Sequence, residues 1–283
     1  MKVGWLIYKQ EDAVKNMSFI DWFIDECKQQ ELKLVLVYRE HLDIGVYNGK
    51  LALHQNNLEC KPPDFAVIRT IDPLLSQHLE LMNVPVFNSS AVSMMCNHKA
   101  NTHQALAQLQ IPMVDTVFLK KDLLPSKPPL SLPVVMKAAT GRGGNQVTMI
   151  HTQTAWEQFS KHTYADDVVV QACNVQLGKD VRVFVVGKTI VGAVLRESTT
   201  DFRANFTLGG TAKWYELNQV ELTLVQSVVD YFDFGMVGID FLFDYDGNLL
   251  FNEIEDVVGS RTLSEVSNVN IIKLYVAWIK ERI

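Results

Sequence analysis

Long apolar runs are missing from this 283-residue chain. No stretch approaches the roughly 18 to 20 consecutive apolar residues that a membrane-spanning helix needs. The opening run from Met1 to Tyr8 gives way at once to Lys9, Gln10, Glu11 and Asp12, which is too short and wrongly flanked for a signal peptide. Cysteine is scarce: Cys27, Cys60, Cys96 and Cys173 are scattered without a CxxC pair, so neither structural zinc nor a dithiol motif is indicated. Basic excess is absent as well. With 26 Lys and Arg against 32 Asp and Glu, the net charge is -6, and the chain lacks the surplus that nucleic-acid binders use against a phosphate backbone. The expectation is a soluble, reduced, cytoplasmic protein with no nucleic-acid or membrane partner.

What is present is apolar content of 48%, enough to bury a real core, in a length that suits two domains. The first ninety residues alternate apolar strand runs (Lys2 to Tyr8, Leu32 to Tyr38, Phe65 to Arg69, Val84 to Asn88) with helical spacing, as in Met17 to Cys27. Buried runs separated by helices predict a parallel, helix-covered sheet and an N-terminal α/β domain over residues 1–93. A single linking helix is expected from about Met94 to Gln110, ending before Ile111-Pro112. A compact β-rich subdomain follows over about 115–170, with strands at Thr116 to Lys121, Val134 to Ala138, Gln146 to Ile150 and Val168 to Ala172. Residues 171–283 alternate hairpins with helices near Gln219 to Phe232 and Asn270 to Arg282.

The segment Gly238 to Glu255 carries the most chemistry. Asp246-Gly247 between two apolar strands predicts a two-residue hairpin. If Tyr245 faces Asn248, Asp240 lies opposite Glu253, and Glu255 points to the same side two residues on. Opposed side chains have Cβ atoms roughly 4.5 to 5.5 Å apart. Two like charges at about 4 Å repel by ~4 kcal/mol at an effective dielectric near 20. A compensating cation is expected, and oxygen-only ligands favour a hard divalent ion such as magnesium. The bland alternative is a solvated edge hairpin whose acids face water.

Pro133 to Val147 places Lys137 inside an apolar strand, followed by a loop with Gly141, Gly143 and Gly144. A lysine in a buried strand needs an anion, and glycines let backbone amides turn toward phosphate oxygens. The loop is no Walker motif, and Gln146 spoils a GxGxxG fingerprint. A snorkelling lysine beside an ordinary hairpin is the alternative. A second hairpin, Val181 to Val194, turns near Gly187-Lys188 and puts Asp180 and Arg182 on one face. Its simple register sends Arg196 to the other face unless a bulge intervenes. Arg203 and Asn205 follow in Asp201-Phe-Arg-Ala-Asn205. No histidine shows partner spacing, and none is assigned chemistry.

In order, the chain presents His98-Lys99, Lys137 with its glycine loop, Gln171 to Asn174, Asp180-x-Arg182, Arg203 with Asn205, and the Asp240, Glu253, Glu255 hairpin. This ordered set resembles the ATP-grasp ligases, and most closely the RimK-like branch of ribosomal-protein glutamate ligases and related amino-acid ligases, across nearly the whole chain. The resemblance implies an ATP-grasp fold over 94–283, an α/β architecture in which two lobes hold ATP. It implies Lys99, Lys137, Gly141, Gly143, Gly144, Arg203 and Asn205 near phosphates, backbone groups of Gln171, Ala172 and Asn174 on adenine, and Asp180 on ribose. Asp240 and Glu253 would hold magnesium. Glu255 stands where the family usually has asparagine, which could tighten magnesium or admit manganese.

The implied reaction is ATP-dependent carboxylate-amine ligation through an acylphosphate, releasing ADP and phosphate, with Lys137, Arg182 and Arg203 as the catalytic cations. The substrates implied are an amino acid and an amine acceptor that is a peptide, a protein terminus or another amino acid. Related enzymes often assemble, so a homo-oligomer is a candidate state. The loop Gly141 to Gly144 is expected to act as a lid. Competing readings are a catalytically silent ATP-binding regulatory module and a dinucleotide-binding oxidoreductase. The latter lacks the glycine fingerprint after Tyr8.

Overall fold

The computed structural model describes residues 1–141, 146–161, 166–204 and 210–283. Gly143, Gly144 and Asn205, and with them the expected lid, lie outside the described residues. Four parallel strands open the chain, in the spatial order Lys33–Tyr38, Val3–Tyr8, Phe65–Ile68, Val86–Phe87. Phe65–Ile68 is buried at every position, as a strand covered on both faces requires. The helix Met17–Gln29 covers one face through Ile20, Phe23 and Cys27.

An antiparallel ribbon of Leu42–Tyr47, Lys50–Gln55 and Leu58–Glu59 interrupts the alternation of strand and helix. Its first turn is Asn48-Gly49, both at positive φ (50° and 75°), the backbone that a two-residue hairpin demands. The expected single linking helix is in fact two, Ser90–Cys96 and Lys99–Gln108. The break at Asn97-His98 makes Lys99 the first residue of a helix, where its amide bonds the Ala139 carbonyl at 2.9 Å.

A four-stranded antiparallel sheet follows in the order Val147–Ile150, Val134–Ala138, Val168–Ala172, Thr116–Leu119, packed on the buried Trp156 of the helix Gln153–Ser160. The last sheet has five antiparallel strands: Thr211–Tyr215, Thr189–Glu197, Lys179–Val186, Met236–Phe243 and Leu249–Glu255. One of its faces packs on Val225, Val228 and Val229 of the helix Gln219–Tyr231. The other packs on Ile272, Tyr275, Val276 and Ile279 of the helix Ile271–Lys280, which in turn meets Phe23 and Leu6 of the N-terminal layer in one continuous core. No described helix is long and apolar enough to cross a membrane.

Candidate active site

Two register shifts set the side chains of the site. In the carboxylate hairpin, Phe243 pairs with Leu249, and Asp244 and Asn248 close a three-residue loop in which Gly247 takes φ +89°. The Asp244 carboxylate accepts from the amides of Asp246 and Asn248 and braces that loop. The expected two-residue turn is therefore corrected: a glycine at positive φ ending a three-residue loop is the other common hairpin connection. A bulge between Asp240 and Phe241 then restores the pairing of Asp240 with Glu253. Asn252 is the extra residue. In the neighbouring hairpin a bulge between Phe184 and Val185 places Arg196 opposite Asp180. Arg196 thus joins the face of Arg182, contrary to the simple register.

The result is a compact set of alternating charges. Arg182 grips Asp240 with two hydrogen bonds of 2.7 Å and reaches Glu255 at 2.9 Å. Arg196 grips Asp180 with two bonds of 2.7 Å and shares the Asp240 Oδ2 at 2.9 Å. Lys99 donates to the Gly141 carbonyl and stands 3.2 Å from Glu253. The Lys137 ammonium donates to Asn252 Oδ1 at 2.7 Å. Lys99, Lys137, Arg182 and Arg196 therefore face Asp180, Asp240, Glu253 and Glu255. The cation that the opposed acids require is supplied within the chain.

Burial sharpens these charges. Burial alone would raise the Asp240 carboxyl, but Arg182 and Arg196 outweigh it and hold the group down at about 2. Desolvation pushes the half-buried Glu253 carboxyl up, yet Lys99 and Lys137 keep it below the ordinary value. At Lys137, burial outweighs the attraction of Glu253 and brings the ammonium down to about 8. Arg203 is paired differently, with Asp201 at 2.7 and 2.9 Å.

Three of the acids, Asp240, Glu253 and Glu255, offer oxygens lying within 4.8 Å of one another. An all-oxygen donor set of this kind fits a hard divalent ion. Asp240 has little left to give. Its Oδ2 accepts from both arginines and its Oδ1 from Arg182, which leaves one lone-pair position on Oδ1. The donor set suits magnesium with Glu253 and Glu255 as the freer ligands.

Beside this cluster opens a cleft with about 850 Å³ of empty space, its mouth included. Val114, Val135, Val175 and Leu242 give it apolar walls, and Lys99, Lys137, Arg203 and Glu253 stand together along its lining. Gly141, Gln171, Ala172 and Asp180 also line it, whereas Asn174 is exposed and outside the lining. Arg182, Asp240 and Glu255 sit beyond its lining. A smaller cavity of about 320 Å³ adjoins, with Lys99, Gly141 and Glu253 shared and Asn97, Thr140, Glu255 and Asp256 added.

Sequence reasoning missed Asn252 and the structural part of His103, and its simple register put Arg196 on the other face. His103 is 2% exposed and faces the edges of Phe251 and Phe118. One ring nitrogen meets the Lys99 carbonyl at 2.8 Å, which can only accept, so Nδ1 carries the proton and Nε2 receives the Gln171 amide at 3.1 Å. The ring thereby ties Lys99 to Gln171 across the cleft wall. Burial, which outweighs the other influences, brings its pKa to about 4. His103 is four residues past Lys99, one helical turn; that spacing is the signal in the sequence.

Residues 96–279 match the model of the RimK-like ATP-grasp domain. The chain is similar to the alpha-aminoadipate–LysW ligase LysX of Saccharolobus solfataricus, with 26% identity over 72% of this chain and 78% of the relative. It is also 26% identical to human N-acetylaspartylglutamate synthase A, over 87% of this chain and 67% of that one. The solved structure of the ATP-grasp ligase PsnB, complexed with a variant of its minimal precursor, Mg and ADP, superposes with a TM-score of 0.70. It covers 98% of this chain and 97% of PsnB at 14% identity.

Proposed function

The chain belongs to the RimK-like ATP-grasp family of C–N bond-forming ligases, and from that premise we propose that it uses ATP to join an amino-acid carboxylate to an amine, releasing ADP and phosphate. The observation that carries the reading is the placement of Lys99, Lys137 and Glu253 along one apolar-walled cleft, with Asp240 and Glu255 adjoining. A cluster whose own charges balance gains a reason to admit a polyanion only together with further positive charge. Glu253, Glu255 and the remaining Oδ1 position of Asp240 would hold magnesium, which would supply that charge when bound.

The residues of the chain divide the rest. Apolar walls from Val114, Val135, Val175 and Leu242 take the base, with backbone groups at Gln171 and Ala172 reading its edge. Asp180, at the cleft lining, is the ribose contact. Lys99 exchanges the Gly141 carbonyl for phosphate, and Lys137, already drawn into the cleft wall, neutralises charge that develops on the transferred group. Gly141, in the cleft lining, begins the glycine loop.

A substrate carboxylate oxygen bonds to the γ-phosphorus as its bond to the ADP oxygen breaks. The amine nitrogen then bonds to the acyl carbon, phosphate departs with the C–O bond pair, and the amine gives up a proton. Arg203 stabilises the transfer. Arg182, fixed by Asp240 and Glu255, steadies the acylphosphate from the side. The acceptor is an amino acid or peptide amine. Four free cysteines accord with a cytoplasmic setting.

Incubation with Mg-ATP and pools of amino acids, measuring ADP, phosphate and new amides together, tests the reading. Amino-acid-dependent ADP with an amide product is expected. AMP in place of ADP, or ATP that binds and is never consumed, overturns it.

A further inference from the structure

Four arginines each hold a carboxylate: Arg39 with Asp72, Arg182 with Asp240, Arg196 with Asp180 and Arg203 with Asp201. Arg69 does not. It is 7% exposed, and no carboxylate lies within ion-pair distance of it among the described residues. Its guanidinium lies over the Phe19 ring, 5.1 Å from the centroid, so one face is covered. Nη2 donates to the Val258 carbonyl at 2.6 Å and Nε makes a long contact of 3.4 Å to the Tyr8 hydroxyl. The remaining donors have no protein acceptor among the described residues. A buried cation with unspent donors and no carboxylate in contact with it is costly unless it meets a further anion.

Its place in the fold says where that anion comes from. In the N-terminal sheet the strand order reverses between Val3–Tyr8 and Phe65–Ile68, because the second strand lies on one side of the first and the third on the other. Tyr8 is the last residue of one strand and Arg69 directly follows the other, with its amide bonded to the Ile7 carbonyl at 2.8 Å. Both thus stand at the carboxyl ends of parallel strands at a topological switch point, where open α/β sheets bind ligands. The Val258 carbonyl brings in the reaction centre. A Cβ at Gly238 would lie 2.7 Å from Val258 and 3.3 Å from the Arg182 side chain, so Val258 fills the space between the strand of Asp240 and Arg69.

We propose that Arg69, with the Tyr8 hydroxyl, anchors the carboxylate of the amino-acid substrate that survives ligation. The assignment rests on the ligase reading and narrows it, because it requires an amino acid whose α-carboxylate remains free. A guanidinium edge offers two parallel N–H donors to such a group, and the tyrosine hydroxyl, which accepts from Arg69, retains a proton to give.

The test uses the full chain with Mg-ADP and measures calorimetric binding of the standard amino acids and their α-carboxamides to the wild type, Arg69→Met and Arg69→Lys. The expected result is an acid that binds the wild type roughly tenfold or more tighter than its amide, with that preference gone in Arg69→Met and partly restored in Arg69→Lys. If Arg69 serves only to tie Val258 in place, the substitution weakens acid and amide alike, and that outcome overturns the proposal. So does a wild type that binds no amino acid, or that does not distinguish acid from amide. Thermal unfolding of Arg69→Met confirms that the variant is folded, and Tyr8→Phe, which keeps the ring, repeats the comparison if it is not. Arg69-dependent acid binding without ADP formation in turnover assays would remove the ligase reading alone. ADP formation with no dependence of binding on Arg69 would remove only the anchor.

Discussion

Asn252 is the extra residue of the bulge opposite Asp240, and its Oδ1 receives the Lys137 ammonium at 2.7 Å. The bulge thus does two things. It returns Glu253 to its place across from Asp240 after a hairpin loop one residue longer than the shortest, and it turns a neutral acceptor toward a lysine from the other lobe. A neutral partner satisfies the buried ammonium without neutralising it, so the charge stays available to a phosphate.

Replacing that acceptor should uncouple Lys137 from the hairpin. Asn252→Ala is expected to weaken ATP binding by about tenfold, or ~1.4 kcal/mol, because the loss of one hydrogen bond to a charged group is of that order. Titration calorimetry with Mg-ATP checks it, and affinity equal to that of the wild type would show that the contact does not orient Lys137.

The Lys137 pKa of about 8 makes ATP binding sensitive to alkali. Below it the ammonium is charged and binds phosphate. Above it the free protein has lost the proton that the complex needs, so affinity should fall by up to tenfold per pH unit. Arginine stays charged throughout, so Lys137→Arg should flatten the profile between about pH 7 and about pH 9. A wild-type profile as flat as that of the variant would contradict the assignment of Lys137 to the phosphates.

Much of this geometry was open to reading along the chain. Alternation and turn residues gave the parallel strands, the two hairpins and the pairing of Asp240 with Glu253. That last pairing follows by count from a two-residue turn, whereas the chain reaches it with a three-residue loop and a bulge that restores the count. Bulges leave no composition signal, so Asn252 and the side taken by Arg196 could not be found by counting. The Asn48-Gly49 hairpin is different: Asn-Gly between alternating apolar residues is a strong turn signal, legible in the sequence. Opposed acids call for positive charge, and the arginines that face them come from strands that only the sheet order brings alongside.

His103 should make the fold sensitive to acid. Its folded pKa of about 4 lies below the ordinary 6.5, so the unfolded chain binds the proton more tightly. Stability is complete above about pH 6.5 and falls as pH drops toward 4, by up to ~3 kcal/mol from this group. Denaturant unfolding across that range should show a shallower slope for His103→Leu, even though the variant is weaker at neutral pH through loss of the Lys99 and Gln171 contacts. Equal slopes in variant and wild type would mean that the ring titrates normally.

Arg196 holds two carboxylates in the interior, Asp180 and Asp240, with only 3% of its own surface exposed. Arg196→Met leaves both acids short of positive charge, and breaking a buried pair from one side typically costs about 3 to 5 kcal/mol. Adding Asp180→Asn removes the stranded charge and should return part of that loss. Arg182 remains on Asp240 in both variants, so the double variant should still fold. Urea unfolding of the wild type, Arg196→Met and the double variant checks the order. A double variant less stable than Arg196→Met would place the value of the cluster in hydrogen bonding by Asp180 rather than in charge balance.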